Sequence, residues 1–221
     1  WSYTPDPATL SDLCGATGAV NVTFRVTDAC GNFSTTAATF TIRDITKPAI
    51  TTPAADLTVD CDGQGNTAQL SAWLSSHGGA AASDDCSGVT WSHNFTALSD
   101  GCGATGSTTV TFRVTDACGL FSETSALFTI EDTTPPAITT AAAPLTVQCD
   151  GAGNTAALQS WLDNHGGAVA SDICSGVTWS HNFTALSDGC GATGSALVTF
   201  RATDACGLFS ETSALFTIED T

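Results

Sequence analysis

Basic residues are scarce: five lysines and arginines stand against 22 acids, a formal net charge of −17 over 221 residues. So acidic a chain repels nucleic-acid phosphates and anionic membrane surfaces, and divalent cations suit it better. Charged residues of both signs make up only 12% of the sequence, and the acids fall mainly in turns. No Ser-His-Asp order, phosphate-binding loop, nucleotide fingerprint or zinc motif occurs, so no residue can be nominated for catalysis. His93 and His181 are expected on an inward strand face beside Trp91 and Trp179, and His77 and His165 at helix ends. Trp73 and Trp161, at helical spacing with leucines, read as core rather than as a sugar platform. There is no apolar run long enough to span a bilayer and no secretory leader, as expected of a mature or excised piece of a secreted protein.

What the chain has in abundance is itself. Val110-Thr-Phe-Arg-Val-Thr-Asp-Ala-Cys-Gly119 stands also at 22–31 and returns, with one change, at 198–207, each copy 88 residues from the next. Residues 45–132 and 133–220 align without a gap and differ at 16 of 88 positions, and residues 1–44 align with 89–132. The chain therefore reads as a half repeat (1–44) and two whole repeats (45–132 and 133–221). Trp1-Ser2-Tyr3 matches Trp91-Ser92-His93 once two residues are skipped. The half repeat carries only the last two strands of a domain, so Val22, Phe24 and Val26 need a cover from outside it, either earlier repeats of a longer chain or a neighbouring copy.

Strict alternation in 110–115 puts Val110, Phe112 and Val114 on one face and Thr111, Arg113 and Thr115 on the other, the pattern of a half-buried strand. In the third repeat, 137–140 and 145–149 form a broken first strand after the Thr-Thr-Pro-Pro junction. Asn154 is a fair N-cap for a helix through His165, with Gly166 as its stop. Short strands follow at 168–172 and 177–183, then the signature strand 196–204 and a last strand 208–219 with Ala214, Phe216 and Ile218 inward. Short strands at roughly ten-residue spacing make the class all-β, a tandem of immunoglobulin-like sandwiches with one short helix each.

Asp-Thr-Thr-Pro-Pro, Thr-Val-Thr-Phe-Arg-Val-Thr-Asp-Ala-Cys-Gly and Phe-Thr-Ile-Glu-Asp together resemble the hyalin-repeat type of immunoglobulin-like module. The cysteine-rich form is similar to long arrays in secreted surface proteins of gliding bacteria of the Bacteroidetes group. The resemblance implies an Asn after Asp-x-x-Gly; Asn32 keeps it, whereas Leu120 and Leu208 replace it and weaken the transfer of a ligand role there.

Ten cysteines, four in each whole repeat and two in the half repeat, read as a disulfide framework formed in an oxidising compartment. Cys102–Cys118 would have to close a strand spanning about 30 Å with a return of at most about 18 Å, against the roughly 7 Å between Cα atoms that a bridge allows. The same reasoning disfavours Cys86–Cys102. Within repeats this leaves Cys61–Cys102 at one end of the sandwich and Cys86–Cys118 at the other, and likewise Cys149–Cys190 and Cys174–Cys206, with Cys14 and Cys30 unpartnered. No cysteine spacing suits a metal-thiolate site.

Alternating strand direction places Asp172 and Asp204 at the end where Asp132 enters the third repeat, and Asp84 and Asp116 beside Asp44 one repeat earlier. Oxygen-only clusters suit Ca²⁺, so these six aspartates are candidate ligands of a structural ion. Asn21, Asn32, Asn94 and Asn182 fit the N-glycosylation pattern, and Thr133, in Asp-Thr-Thr, resembles an O-glycosylation site of the bacterial family. Near-identical neighbours suit length and stiffness. The expected role is a secreted structural segment, the stalk of an adhesin or the body of an extracellular fibre, whose partners are neighbouring repeats or copies of itself. The alternative is a module that binds glycans or another surface through its outward threonine rows.

Overall fold

The computed structural model describes residues 1–4 and 10–221. In chain order the half repeat forms β1 (Ser2–Thr4), β2 (Gly18–Thr27) and β3 (Phe33–Ile42). The second repeat forms β4 (Ala49–Thr52), β5 (Leu57–Asp60), α1 (Thr67–Ser75), β6 (Ala81–Ser83), β7 (Val89–His93), β8 (Gly106–Asp116) and β9 (Phe121–Glu131). The third repeats the pattern with β10 (Ala137–Thr140), β11 (Leu145–Gln148), α2 (Thr155–Asp163), β12 (Val169–Ser171), β13 (Thr178–His181), β14 (Gly194–Thr203) and β15 (Phe209–Glu219). This is the mostly-β, immunoglobulin-like tandem that the alternation predicts. Two compact units gather these elements: Trp1–Leu57 with Gln69–Ala97 and Thr108–Phe128, and Thr58–Ala68 with Leu98–Ser107 and Thr129–Thr221.

The second compact unit contains the whole third repeat. Its main sheet has the order β11-β15-β14-β13, with β11 parallel to β15 and the other pairs antiparallel. The break in the first strand separates two sheets, because β10 pairs with β12 instead. Between them Ala142 donates its N–H to Thr212 Oγ1 at 3.1 Å and Ala143 to the Gly166 carbonyl at 2.9 Å, so the broken segment keeps its backbone partners. Val198, Phe200, Phe216 and Ile218 form the core with Trp161 and Leu162 of α2. Trp161 meets Phe200 edge-on at 5.2 Å and donates Nε1–H to the Ala143 carbonyl, so the helix is a wall of the sandwich and its tryptophan is core. Burying each such aromatic contributes about 2–3 kcal/mol.

Asn154 lies just before α2 but does not cap it. It adopts a left-handed φ of 50° with no side-chain bond to the helix. Its amide is used on the loop: Oδ1 accepts the Asp150 N–H and Nδ2 donates to the Gln148 carbonyl at 2.8 Å. The helix ends at Asp163, and a separate 3₁₀ turn, His165–Gly167, takes up the rest of the expected span.

The first compact unit holds the half repeat as a three-stranded sheet, β1-β2-β3. Ser2 pairs with Arg25 and Tyr3 with Phe24, the register that Ser92 and His93 keep with Arg113 and Phe112. The two-residue skip in the alignment is therefore structural. Phe24 and Val26 are 39% and 37% exposed, whereas their counterparts Phe112 and Val114 are 0% exposed. Phe112 is covered by Trp73 of α1, edge-on at 5.2 Å, and among its described residues the half repeat has no helix to do the same.

Candidate functional site

Sequence reasoning places two cysteines at each end of a repeat and closes each repeat on itself. The structure overturns that closure. The disulfides are Cys14–Cys118, Cys61–Cys174 and Cys102–Cys206, with Cα separations of 5.1, 5.9 and 5.1 Å, and each joins consecutive repeats. Cys61–Cys102, Cys86–Cys118, Cys149–Cys190 and Cys174–Cys206 are not formed; Cys30, Cys86, Cys149 and Cys190 are free thiols. Strand length still forbids Cys102–Cys118 within one repeat, but translation by 88 residues changes the partner without changing the residue type. Cys102–Cys118, excluded inside one repeat, is permitted once the second cysteine belongs to the next. Cys61 does lie at the same end as Cys102, with its Sγ 3.9 Å from the Ala104 carbonyl, but it is turned to Cys174.

The backbone around these bridges is correspondingly close. Ala104 donates its N–H to the Cys174 carbonyl at 2.8 Å, and Ala16 does the same to Cys86 at 2.8 Å. A Cβ on Gly103 would stand 2.6 Å from the Cys174 carbonyl oxygen, and one on Gly15 2.7 Å from that of Cys86. Glycine is required where the chains approach this closely.

The six aspartates stand at these same turns. Asp84 Oδ1 accepts the N–H groups of Cys86 and Ser87, and Asp172 Oδ1 those of Cys174 and Ser175. Asp116 Oδ1 takes Cys118 and Leu120, and Asp204 Oδ1 takes Cys206 and Leu208. In the junctions, Asp44 and Asp132 hold Thr46 and Thr134 in the same way. Each carboxylate thus uses one oxygen to fix its own turn, the Asx-turn chemistry expected of Asp-x-Cys. The other oxygen points inward: Asp44, Asp116, Asp132 and Asp204 each have a buried Oδ2 with no partner. Asp116 and Asp204 are only 5% exposed.

Asp44 lies within 4.8 Å, ligand atom to ligand atom, of both Asp84 and Asp116, and Asp132 lies as close to Asp172. Cys118 and Cys174, which also border these groups, are disulfide-bonded and offer no thiolate. The turns are pinned together by a residue the sequence reading missed: Ser87 Oγ accepts the Ala117 N–H and Ser175 Oγ the Ala205 N–H, both at 3.0 Å. Its signal is the recurring Asp-x-Cys-Ser at 84–87 and 172–175.

The Leu120 and Leu208 departures change the bonding of the aspartate four residues earlier. In the half repeat, Asn32 donates Nδ2–H to Asp28 Oδ2 at 3.0 Å, and together with its backbone N–H lowers the Asp28 pKa. Leucine has no such donor, so the matching oxygens of Asp116 and Asp204 are left without a bond. The buried oxygens without donors, on Asp44 and Asp116 at one junction and on Asp132 and Asp204 at the next, fit a hard divalent cation at each, which would supply the missing charge compensation. Burial and then the carboxylates of Asp44, Asp84, Asp85 and Asp116 raise the Cys86 thiol above its ordinary pKa.

The remaining candidates are scattered. Asn94 and Asn182 are exposed, and each accepts an N–H from the neighbouring strand, Thr111 and Thr199, at 2.9 Å. Asn21 is exposed on β2 and Asn32 in the turn just before β3. Thr133 is exposed, but its hydroxyl donates to Asp60 Oδ1 at 2.8 Å. His93 and His181 are more exposed than inward alternation predicts, though each meets Phe112 or Phe200 edge-on at 6.2 Å. His77 and His165 stack on Trp91 and Trp179 at 4.7 and 4.8 Å.

No protein-family model matches the chain, and no curated protein matches it by sequence. Solved structures to which the chain is similar include cadherin ectodomains. Mouse clustered PcdhgC3 EC1-3 is 12% identical over 94% of this chain and 79% of its own, with a TM-score of 0.34. Mouse cadherin-23 EC22-24 is 13% identical over 93% and 75%, with a TM-score of 0.30. Drosophila N-cadherin EC1-4 is 8% identical over 94% and 59%, with a TM-score of 0.35. At these values the likeness assigns no ligand or partner to this chain. Among the described residues, no helix is long and apolar enough to cross a membrane.

Proposed function

We propose that this chain is a structural segment of a secreted protein, in which hyalin-repeat-like modules are strung into the stalk of an adhesin or the body of an extracellular fibre. The observation that carries this reading is the pairing of Cys61 with Cys174 and Cys102 with Cys206, because bridges between consecutive repeats serve mechanical continuity rather than a single reactive centre. Disulfides persist outside the cell and are reduced within it, which supports an extracellular location. The repeats are 45–132 and 133–221, preceded by the half repeat 1–44.

A structural Ca²⁺ at each junction belongs to this proposal. Asp44, Asp84 and Asp116 hold one ion, and Asp132, Asp172 and Asp204 the next, with backbone carbonyls and water completing six to eight oxygen ligands. The ion neutralises the buried Oδ2 atoms and ties the linker to its two loops. Binding to the folded state alone stabilises it by about 2.7 kcal/mol at a hundredfold excess over the dissociation constant, on the order of ten degrees in melting temperature for a repeat of this size. Melting the protein in Ca²⁺ and in a chelator tests the ion. An unchanged melting temperature sinks the calcium component, and electron micrographs of the native particle showing compact globules instead of threads sink the fibre.

A further inference from the structure

The four free thiols follow a rule. Each bridge runs either from the Cys61 position to the Cys86 position of the next repeat, as in Cys61–Cys174, or from the Cys102 position to the Cys118 position of the next, as in Cys14–Cys118 and Cys102–Cys206. In the third repeat the two donor positions are occupied by Cys149 and Cys190, and both are free. We propose that these two cysteines form a socket for one further repeat of the same kind, which docks on that end and is bridged twice, so that the array is cross-linked as a continuous disulfide ladder. The inference rests on the tandem-array reading and adds to it the means by which one repeat is joined to the next.

Further observations point to the same surface. Cys149 Sγ is 3.8 Å from the Ala192 carbonyl and accepts the Gly151 N–H at 3.4 Å, as Cys61 Sγ does with Ala104 and Gly63 at 3.9 and 3.4 Å. The socket therefore has the geometry of the filled junction. What differs is the cover. A Cβ on Gly103 or Gly63 would run into the backbone at Cys174 or Ile173, whereas around Gly191 and Gly151 there is nothing within 4 Å. Ala104 donates to the Cys174 carbonyl; among the described residues, the equivalent N–H of Ala192 has no backbone acceptor. Gly191 and Gly151 keep the positive φ, 66° and 74°, of their counterparts Gly103 and Gly63 at 60° and 70°, so the open surface has the backbone shape of the filled one without a neighbour against it. An incoming repeat supplies that neighbour in the turn equivalent to Asp172–Ser175.

The chemistry is thiol–disulfide exchange. Cys149 and Cys190 each join a cysteine of the incoming repeat; every bond formed releases two electrons and two protons to a disulfide oxidant such as oxidised glutathione, which leaves as two thiols.

The test is a chain extended by a copy of residues 133–220 placed after Asp220, oxidised with glutathione and mapped without reduction. Cys149 should be found joined to the added repeat's counterpart of Cys174, and Cys190 to its counterpart of Cys206. Both thiols, open to alkylation in the 221-residue chain, should be lost to the reagent in the extended one. Cys149 joined to Cys190, or either thiol still alkylated in the extended chain, overturns the ladder. Scattering from the same sample separates the two readings: an elongated particle with those thiols free keeps the array and removes only the ladder.

Discussion

At the scale of single residues, the junction is governed by atoms with no room or no partner. Gly103 and Gly191 occupy equivalent positions with φ of 60° and 66°, so an added Cβ is strained equally by the backbone in both. Only at Gly103 does it also strike Cys174 and Ser175. Gly103→Ala should therefore lower the melting temperature distinctly more than Gly191→Ala, and equal losses would remove the close approach. The stacked histidines give a pH signature. Desolvation first, and then the neighbouring His93 or His181, lower the pKa of His77 and His165 below their ordinary value. A base with a lowered folded pKa leaves the unfolded chain to take the proton first, so this stability is complete above about pH 6.5 and declines as the pH falls through that value. Between about pH 7.5 and 5.5, the His77→Gln/His165→Gln double variant should lose less melting temperature than the parent; parallel curves would contradict this. The pair Arg113–Glu123 is half exposed, with Arg113 4.0 Å above Phe121, and contributes at most about 1 kcal/mol.

Among elements, the contrast between the half repeat and the whole ones shows what a helix contributes. β2 and β3 carry the same alternating residues as β8 and β9, but Phe40 is 58% exposed where Phe128 is 0%. Alternation therefore selects the face, and α1 with the two short first strands covers it. Fusing a copy of residues 45–88 ahead of Trp1 should supply that cover. Binding of a hydrophobic dye should fall, and Cys86 should become bridged to the added segment's counterpart of Cys61. Undiminished dye binding with Cys86 still free would show that β2 and β3 are covered by something other than their own repeat.

For the whole molecule, the bridges decide how it comes apart. Cys61–Cys174 and Cys102–Cys206 close loops of 113 and 104 residues in sequence separation, each stabilising the fold by about 4 to 5 kcal/mol on the chain-entropy view. With a specific protease site inserted between Thr134 and Pro135, cleavage should leave the two fragments together on a non-reducing gel and separate them once reductant is added. Separation without reductant would mean that the bridges do not cross the linker.

The all-β class, the 88-residue period, the strand faces and the broken first strand were legible from residue order alone. All depend on local chemistry: side-chain alternation, proline and glycine at turns, and Asp-x-Cys loops that fold on their own N–H groups. The cysteine partners, the work of Asn154 in a loop instead of a cap, and the unpartnered oxygens of Asp116 and Asp204 were decided only by the tertiary structure. In a chain whose neighbours are nearly identical, a residue and its counterpart 88 positions away have the same sequence context. Only the packing of one repeat's turns against the next determines which of the two a thiol reaches, and which carboxylate oxygen is left without a hydrogen bond.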